Sequence, residues 1–135
     1  MALNKTYLSL DVGEKRIGVA VGDTMVKIAV PLDTVEVDGS EIEKIARHIV
    51  RENPSVVVIG YPRNQSGEAT AQTAFVEAFA QRLKDIAPEI VFQDESLTSV
   101  LAENRLKSYG KPYVKADIDA QAAALILQDY LEQHA

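Results

Sequence analysis

Residues Tyr7–Asp23, YLSLDVGEKRIGVAVGD, decide the fold, because two apolar runs meet there across a short charged turn and a carboxylate interrupts the first. Tyr7 to Gly13 alternates as a strand does. Leu8, Leu10 and Val12 fall on one face, and Ser9, Asp11 and Gly13 on the other. A strand needs no acid at Asp11, and burying an unpaired carboxylate is costly or drives its pKa toward neutrality. A positive group is therefore expected beside Asp11. Ile17 to Val21 reads as a second strand closed by Gly22 and Asp23, and the turn through Glu14, Lys15 and Arg16 is short enough to make the pair an antiparallel hairpin.

Outward from the hairpin, Ile28 to Val37 supplies a third strand, where Pro31 implies an edge position or a bulge. From Ser40, a plausible N-cap, Ile42, Ile45, Ala46, Ile49 and Val50 keep helical spacing until Asn53 and Pro54. SVVVIGY is a continuous β-branched run, as expected of a strand buried on both faces of a parallel sheet. A second helix is predicted from Glu68 to Ala87, with Phe75, Phe79, Leu83 and Ile86 on its stripe, and Ile90 to Glu95 is a fifth strand. In a third helix Leu97, Val100 and Leu101 fall on a different side from Ala102 and Leu106, so the helix is expected to bend or to be covered from two directions. The terminal helix, ADIDAQAAALILQDYLEQHA, is almost wholly apolar from Ala120 to Leu127. The expected class is α/β: a mixed five-stranded sheet with helices on both faces, in one domain spanning 1–135.

Composition narrows the function. A hydrophobic fraction of 47% and a charged fraction of 25% are those of a soluble globular protein, and no apolar run is long enough for a membrane helix. No secretory pattern opens the chain, so a cytoplasmic location is expected. Cysteine is absent, which excludes disulfides and thiolate metal sites. The net charge of −6 argues against nucleic acid only as an average, since bound cations invert a local field. The distribution is uneven: RLKSYGKPYVK, 105–115, carries four basic residues and no acid. It reads equally as a solvated loop or as a phosphate-contacting segment.

Three acids stand where open α/β sheets build their sites. Asp11 is near the end of the first strand, Glu95 ends the fifth, and Asp119 begins the terminal helix. Asp94 and Glu95 point to opposite faces of a regular strand; Glu95 is the chosen ligand, and Asp94 a supporting or capping residue for Ser96 to Ser99. Asp119 taken alone is a common helix cap, but Asp117 offers an alternative cap, and Asp119 shares its face with Ala122, Ala123 and Ile126. Three carboxylates without His or Cys suit Mg²⁺ or Mn²⁺ better than zinc. His48, on the helical face of Glu41, Lys44 and Glu52, and His134, near the end of the chain, are both expected to be exposed.

Four motifs now carry a resemblance. LDVGEKRIGVAVGD, VVVIGYPRNQSG, FQDESLTS and IDAQAAALILQDYL occur in the order found in the YqgF/RuvX family of ribonuclease H-like proteins, named as Holliday junction resolvases or pre-16S rRNA nucleases. The resemblance spans nearly the whole chain. It implies a ribonuclease H-like nuclease fold, with Asp11, Glu95 and Asp119 as catalytic metal ligands for Mg²⁺ or Mn²⁺. It also implies metal-assisted phosphodiester hydrolysis, with Asp11 bridging two ions, and places Lys15 and Arg16 toward the phosphate backbone. Arg63, Asn64, Arg105, Lys107, Lys111 and Lys115 are further candidates for nucleic-acid binding, with Gln65 beside them as a hydrogen-bonding residue.

Departures from the family pattern are Ser96 in place of an arginine, Tyr61 in place of a smaller aliphatic residue, Ser99 in place of threonine and Ala120 in place of serine. The expected activity is endonucleolytic processing of the 5′ end of pre-16S rRNA. The alternatives are resolution of branched DNA, or a non-catalytic module for nucleic-acid binding or ribosome assembly. The hairpin is also similar to the first phosphate loop of actin-like ATPases, but those need a second such domain that 135 residues do not accommodate.

Overall fold

The computed structural model describes residues 4–62, 66–95 and 98–134. Five strands, β1 (Thr6–Val12), β2 (Arg16–Asp23), β3 (Val30–Glu36), β4 (Val56–Pro62) and β5 (Ile90–Glu95), form one sheet in the order β3-β2-β1-β4-β5. β1 pairs antiparallel with β2 and parallel with β4, and β5 extends the parallel half. The opening hairpin is as expected, with the Gly13 N–H donating to the Arg16 carbonyl at 3.0 Å. β3 is an edge strand, and the β2–β3 register slips between Val19 and Ala20, the latter opposite Pro31. A proline has no N–H to give a ladder, which is why the edge and the irregularity fall there.

Four helices are found among the described residues: α1 (Glu41–Glu52), α2 (Ala71–Leu83), α3 (Thr98–Ser108) and α4 (Lys115–His134). The alternation along β1 sorts them. Leu8, Leu10 and Val12 face α1 and α2, packing with Ile45, Ile49, Val76, Phe79 and Leu83. Tyr7 and Ser9 face the other way: Tyr7 packs with Ile126, Leu127 and Leu131 of α4, and Ser9 Oγ donates to the Ala123 carbonyl at 2.7 Å. The alanine run lets α4 lie close to the sheet, where Ala20, Ala123 and Ala124 form a small cluster of their own.

Several local expectations are corrected. Ser40 precedes α1 but makes no cap bond with its side chain; its hydroxyl instead donates to Asp38. α2 starts at Ala71, not Glu68, because Thr70 and Thr73 form a reciprocal capping box. Phe75 and Ile86 lie at the exposed margin of the predicted stripe, and Thr73 and Val76 belong to the buried face. On α3, Val100 and Leu101 face outward and Ala102 is buried. His48 is not exposed: it is 8% accessible, and its Nε2 lies 2.8 Å from Asp33 Oδ2 on β3. The face assigned to it as solvated packs inward, for Glu41 is also buried, with Gly39 N–H and Arg82 as partners.

Candidate active site

Because β1, β4 and β5 are parallel, their C-terminal ends share one edge of the sheet, and Asp11 and Glu95 both lie at it. β4 runs between them. Glu95 passes over that strand at Gly60: a Cβ there would lie 2.5 Å from Glu95 Oε2 and 2.6 Å from Ile126 Cδ1. The missing side chain is the space through which the carboxylate reaches toward Asp11.

The two carboxyl groups meet within hydrogen-bonding reach of each other. Asp11 is pushed up to about 8, first by burial and then by the charges of Glu95 and Asp119. Burial also raises the pKa of Glu95, whose Oε2 is buried without a hydrogen-bond partner. Neither acid has a cation against it among the ion pairs of the described residues. A half-buried carboxylate pair in such close contact must hold a proton or receive a positive charge.

Asp119 is differently placed. Gly18 of β2, the register partner of Asp11, lies directly under the Asp119 backbone; a Cβ on Gly18 would sit 1.9 Å from the Asp119 carbonyl oxygen. This glycine lets the first turns of α4 descend onto the sheet. Asp117 does the capping, its Oδ2 accepting from the Val114 N–H at 2.9 Å. Asp119 is thereby left to accept from Arg16 Nε at 2.6 Å, with side-chain exposures of 30% for Arg16 and 24% for Asp119. Its charge is felt at Asp11, yet Oδ2 is committed to Arg16. Among the described residues, no three Asp, Glu or His side chains stand ready as a metal cage.

The expected site residues therefore divide. Asp11 and Glu95 are together; Asp119 is adjacent and neutralised. Asp94, on the opposite face of β5, is exposed. Lys15 is exposed in the hairpin turn, and its carbonyl accepts from the Val37 N–H at 2.9 Å. Arg105 and Lys107 end α3, Lys111 lies in the connection, and Lys115 opens α4 one turn before Asp119; all four are exposed. Tyr113, between them, donates to Glu103 at 2.8 Å. Arg63, Asn64, Gln65 and Ser96 lie outside the described residues.

Sequence reasoning placed Arg16 at a phosphate and missed its bond to Asp119, which joins residues 103 apart in the chain. It also passed over Gly18 and Gly60, although a glycine inside an apolar strand is itself a signal of close approach.

The donor set fits a hard divalent cation. Asp11 and Glu95 offer carboxylate oxygens with no counter-charge among the described residues, Oε2 of Glu95 is an orphan acceptor, and Asp119 is within electrostatic range.

The mixed sheet with its long terminal helix is a ribonuclease H-like fold. In fold the chain resembles Thermus thermophilus RuvC in complex with Holliday junction substrate, with TM-score 0.58 and 15% identity over 96% of each chain. The fowlpox virus resolvase with junction DNA is similar, with TM-score 0.58 and 13% identity over 95% of this chain and 97% of that one. The chain belongs to the RuvX family, described as Holliday junction resolvase, which matches residues 5–133. A relative from Chloroflexus aurantiacus, named as a pre-16S rRNA nuclease, is 44% identical over 134 residues, covering 96% of this chain and 88% of the relative. One of the same name from Shewanella oneidensis is 40% identical over 135 residues and covers 96% of both.

Proposed function

We propose that this chain is a divalent-metal-dependent endonuclease that hydrolyses phosphodiester bonds in precursor ribosomal RNA, at the 5′ end of pre-16S rRNA. The observation that carries the chemistry is the half-buried Asp11–Glu95 pair, with its orphan oxygen and no counter-cation among the described residues. The names of its relatives support the RNA substrate. Mg²⁺ or Mn²⁺, held by Asp11, Glu95 and Asp119, would supply the missing charge, an acidified water and stabilisation of the leaving oxygen.

The protein's own contribution is placement. β1 and β5 fix the two carboxylates at one edge, Gly60 keeps the path between them open, and α4 carries Asp119 alongside. Lys15, Arg16 and the exposed basic residues Arg105, Lys107, Lys111 and Lys115 would hold phosphates on the α4 side, positioning the strand without reading its bases. Arg63 and Asn64 are assigned to the same role from sequence. No described helix is long and apolar enough to cross a membrane, and processing of ribosomal RNA implies a cytoplasmic site of action.

The test is cleavage of precursor 16S RNA beside a four-way DNA junction, in Mg²⁺ or Mn²⁺, by the wild type and by Asp11→Asn. The expected result is RNA cleavage that falls at least about a thousand-fold in the variant, the scale of a lost charge-stabilising group. Preference for the junction would favour the second reading, resolvase activity, which the family description supports. Equal cleavage by the variant would remove Asp11 from the mechanism. A protein that binds RNA and cleaves neither substrate would be a non-catalytic module.

A further inference from the structure

The same site holds a cationic group, Arg16, and its position is informative. Arg16 begins β2, directly across the hairpin turn from the end of β1, and reaches Asp119 through Nε, one of five N–H donors on a guanidinium. Glu36, its register partner on β3, adds to the negative field around it. The contact is short, but both side chains remain partly in water, where an ion pair changes an equilibrium only about two- to five-fold. Asp11 and Glu95 beside them are half-buried, Oε2 of Glu95 is buried without a hydrogen-bond partner, and neither acid has a cation against it among the ion pairs of the described residues. The fold thus pairs Asp119 with a cation and leaves Asp11 and Glu95, likewise half-buried, without one among the described residues.

We propose that the Arg16–Asp119 ion pair is a latch. Arg16 occupies Asp119 until a divalent cation binds at Asp11 and Glu95 and competes for it, and the released guanidinium then takes a phosphate of the substrate. Arg16 is on this view a positioning residue that couples cation loading to substrate capture. The inference rests on the reading of Asp11, Glu95 and Asp119 as cation ligands. A permanent structural pair would have a different signature: removing Arg16 would loosen α4 and weaken cation binding.

The experiment is calorimetric titration of Mn²⁺ into the full chain as wild type, Arg16→Gln, Arg16→Lys and Asp11→Asn, with thermal unfolding of each. The latch predicts that Arg16→Gln binds Mn²⁺ about two- to five-fold tighter than wild type, with Arg16→Lys between them. It also predicts that Mn²⁺ strengthens binding of a cleavage-resistant, phosphorothioate-linked RNA hairpin less in Arg16→Gln than in wild type. Mn²⁺ affinity in Arg16→Gln that is equal or weaker overturns the latch, as does an undiminished gain in RNA binding. Should Arg16→Gln fail to fold, Arg16→Lys carries the same test. If Asp11→Asn loses Mn²⁺ binding while the Arg16 variants gain nothing, the latch alone fails. If Asp11→Asn binds Mn²⁺ as wild type does, the site reading fails with it.

Discussion

Two pairs of side chains a short distance apart solve the problem of a carboxylate near a protein core in opposite ways. Asp119 is matched by Arg16 at 2.6 Å and sits partly in water. Asp11 is matched, among the described residues, by another acid, Glu95, and desolvation is the first cause of the raised pKa of both. The first arrangement is a satisfied ion pair of modest worth. The second stores unfavourable free energy that folding elsewhere must offset, a pattern expected where a site awaits a charge.

The widest gap between the pairs concerns pH. Asp11 has a folded pKa of about 8 against an ordinary 3.8, so the folded state holds its proton where the unfolded chain has released it. This group's contribution to stability is full below the unfolded value and is lost as pH rises through about 8. Metal-free protein is therefore expected to lose on the order of several kcal/mol between pH 4 and 8. Asp11→Asn should flatten most of that fall, with a residual slope from Glu95, as measured by urea unfolding across the range. An unchanged slope would mean that Asp11 is not held in the buried, uncompensated state described.

The glycines sharpen the comparison, because each serves one pair. Gly18→Ala drives a Cβ into the Asp119 backbone at 1.9 Å, and backbone cannot turn aside. A loss of about 3 kcal/mol is expected from overpacking at the upper end of its usual range, with α4 and Asp119 displaced together. Gly60→Ala meets only the tips of Glu95 and Ile126, which can move. Its expected cost is smaller, about 1 kcal/mol. Its larger consequence is a swung Glu95 and cleavage lowered about a hundred-fold by misplacement. Thermal unfolding together with cleavage rates separates the two. A Gly60→Ala protein that cleaves normally would show that the path of Glu95 over β4 does not matter.

Much of this was legible in the chain, and the reasons differ by element. The β1 alternation put Asp11 and Ser9 on one face because a strand's period of two leaves no choice, and Ser9 indeed bonds to α4. The fifth strand was read as Ile90–Glu95, and it has those bounds. The architecture followed from the short hairpin turn and the β-branched run of β4. Their places at two strand ends and a helix start joined the three acids into a set, and the resemblance then implied that they are the metal ligands. Arg16 with Asp119 was out of reach of any local pattern, being a contact across 103 positions. His48 was misread because polar neighbours on a helix were taken to mean water, when Asp33 on β3 and Arg82 near the end of α2 supply partners to that face. The start of α2 was placed too early because a Thr–Thr box lacks the usual glutamate.

The bond from Ser9 to the Ala123 carbonyl has one more consequence. It pins a helix to a strand one turn beyond Asp119, so the acid is carried as cargo on a rod whose registration is fixed near its load. Sliding α4 by a single position would rotate that cargo by about 100° and carry it off the sheet altogether. Spacing between the acids can thus be altered only by jumps, never by degrees, and insertions between Asp119 and Ala123 should be far less forgivable than insertions in the connection before Lys115.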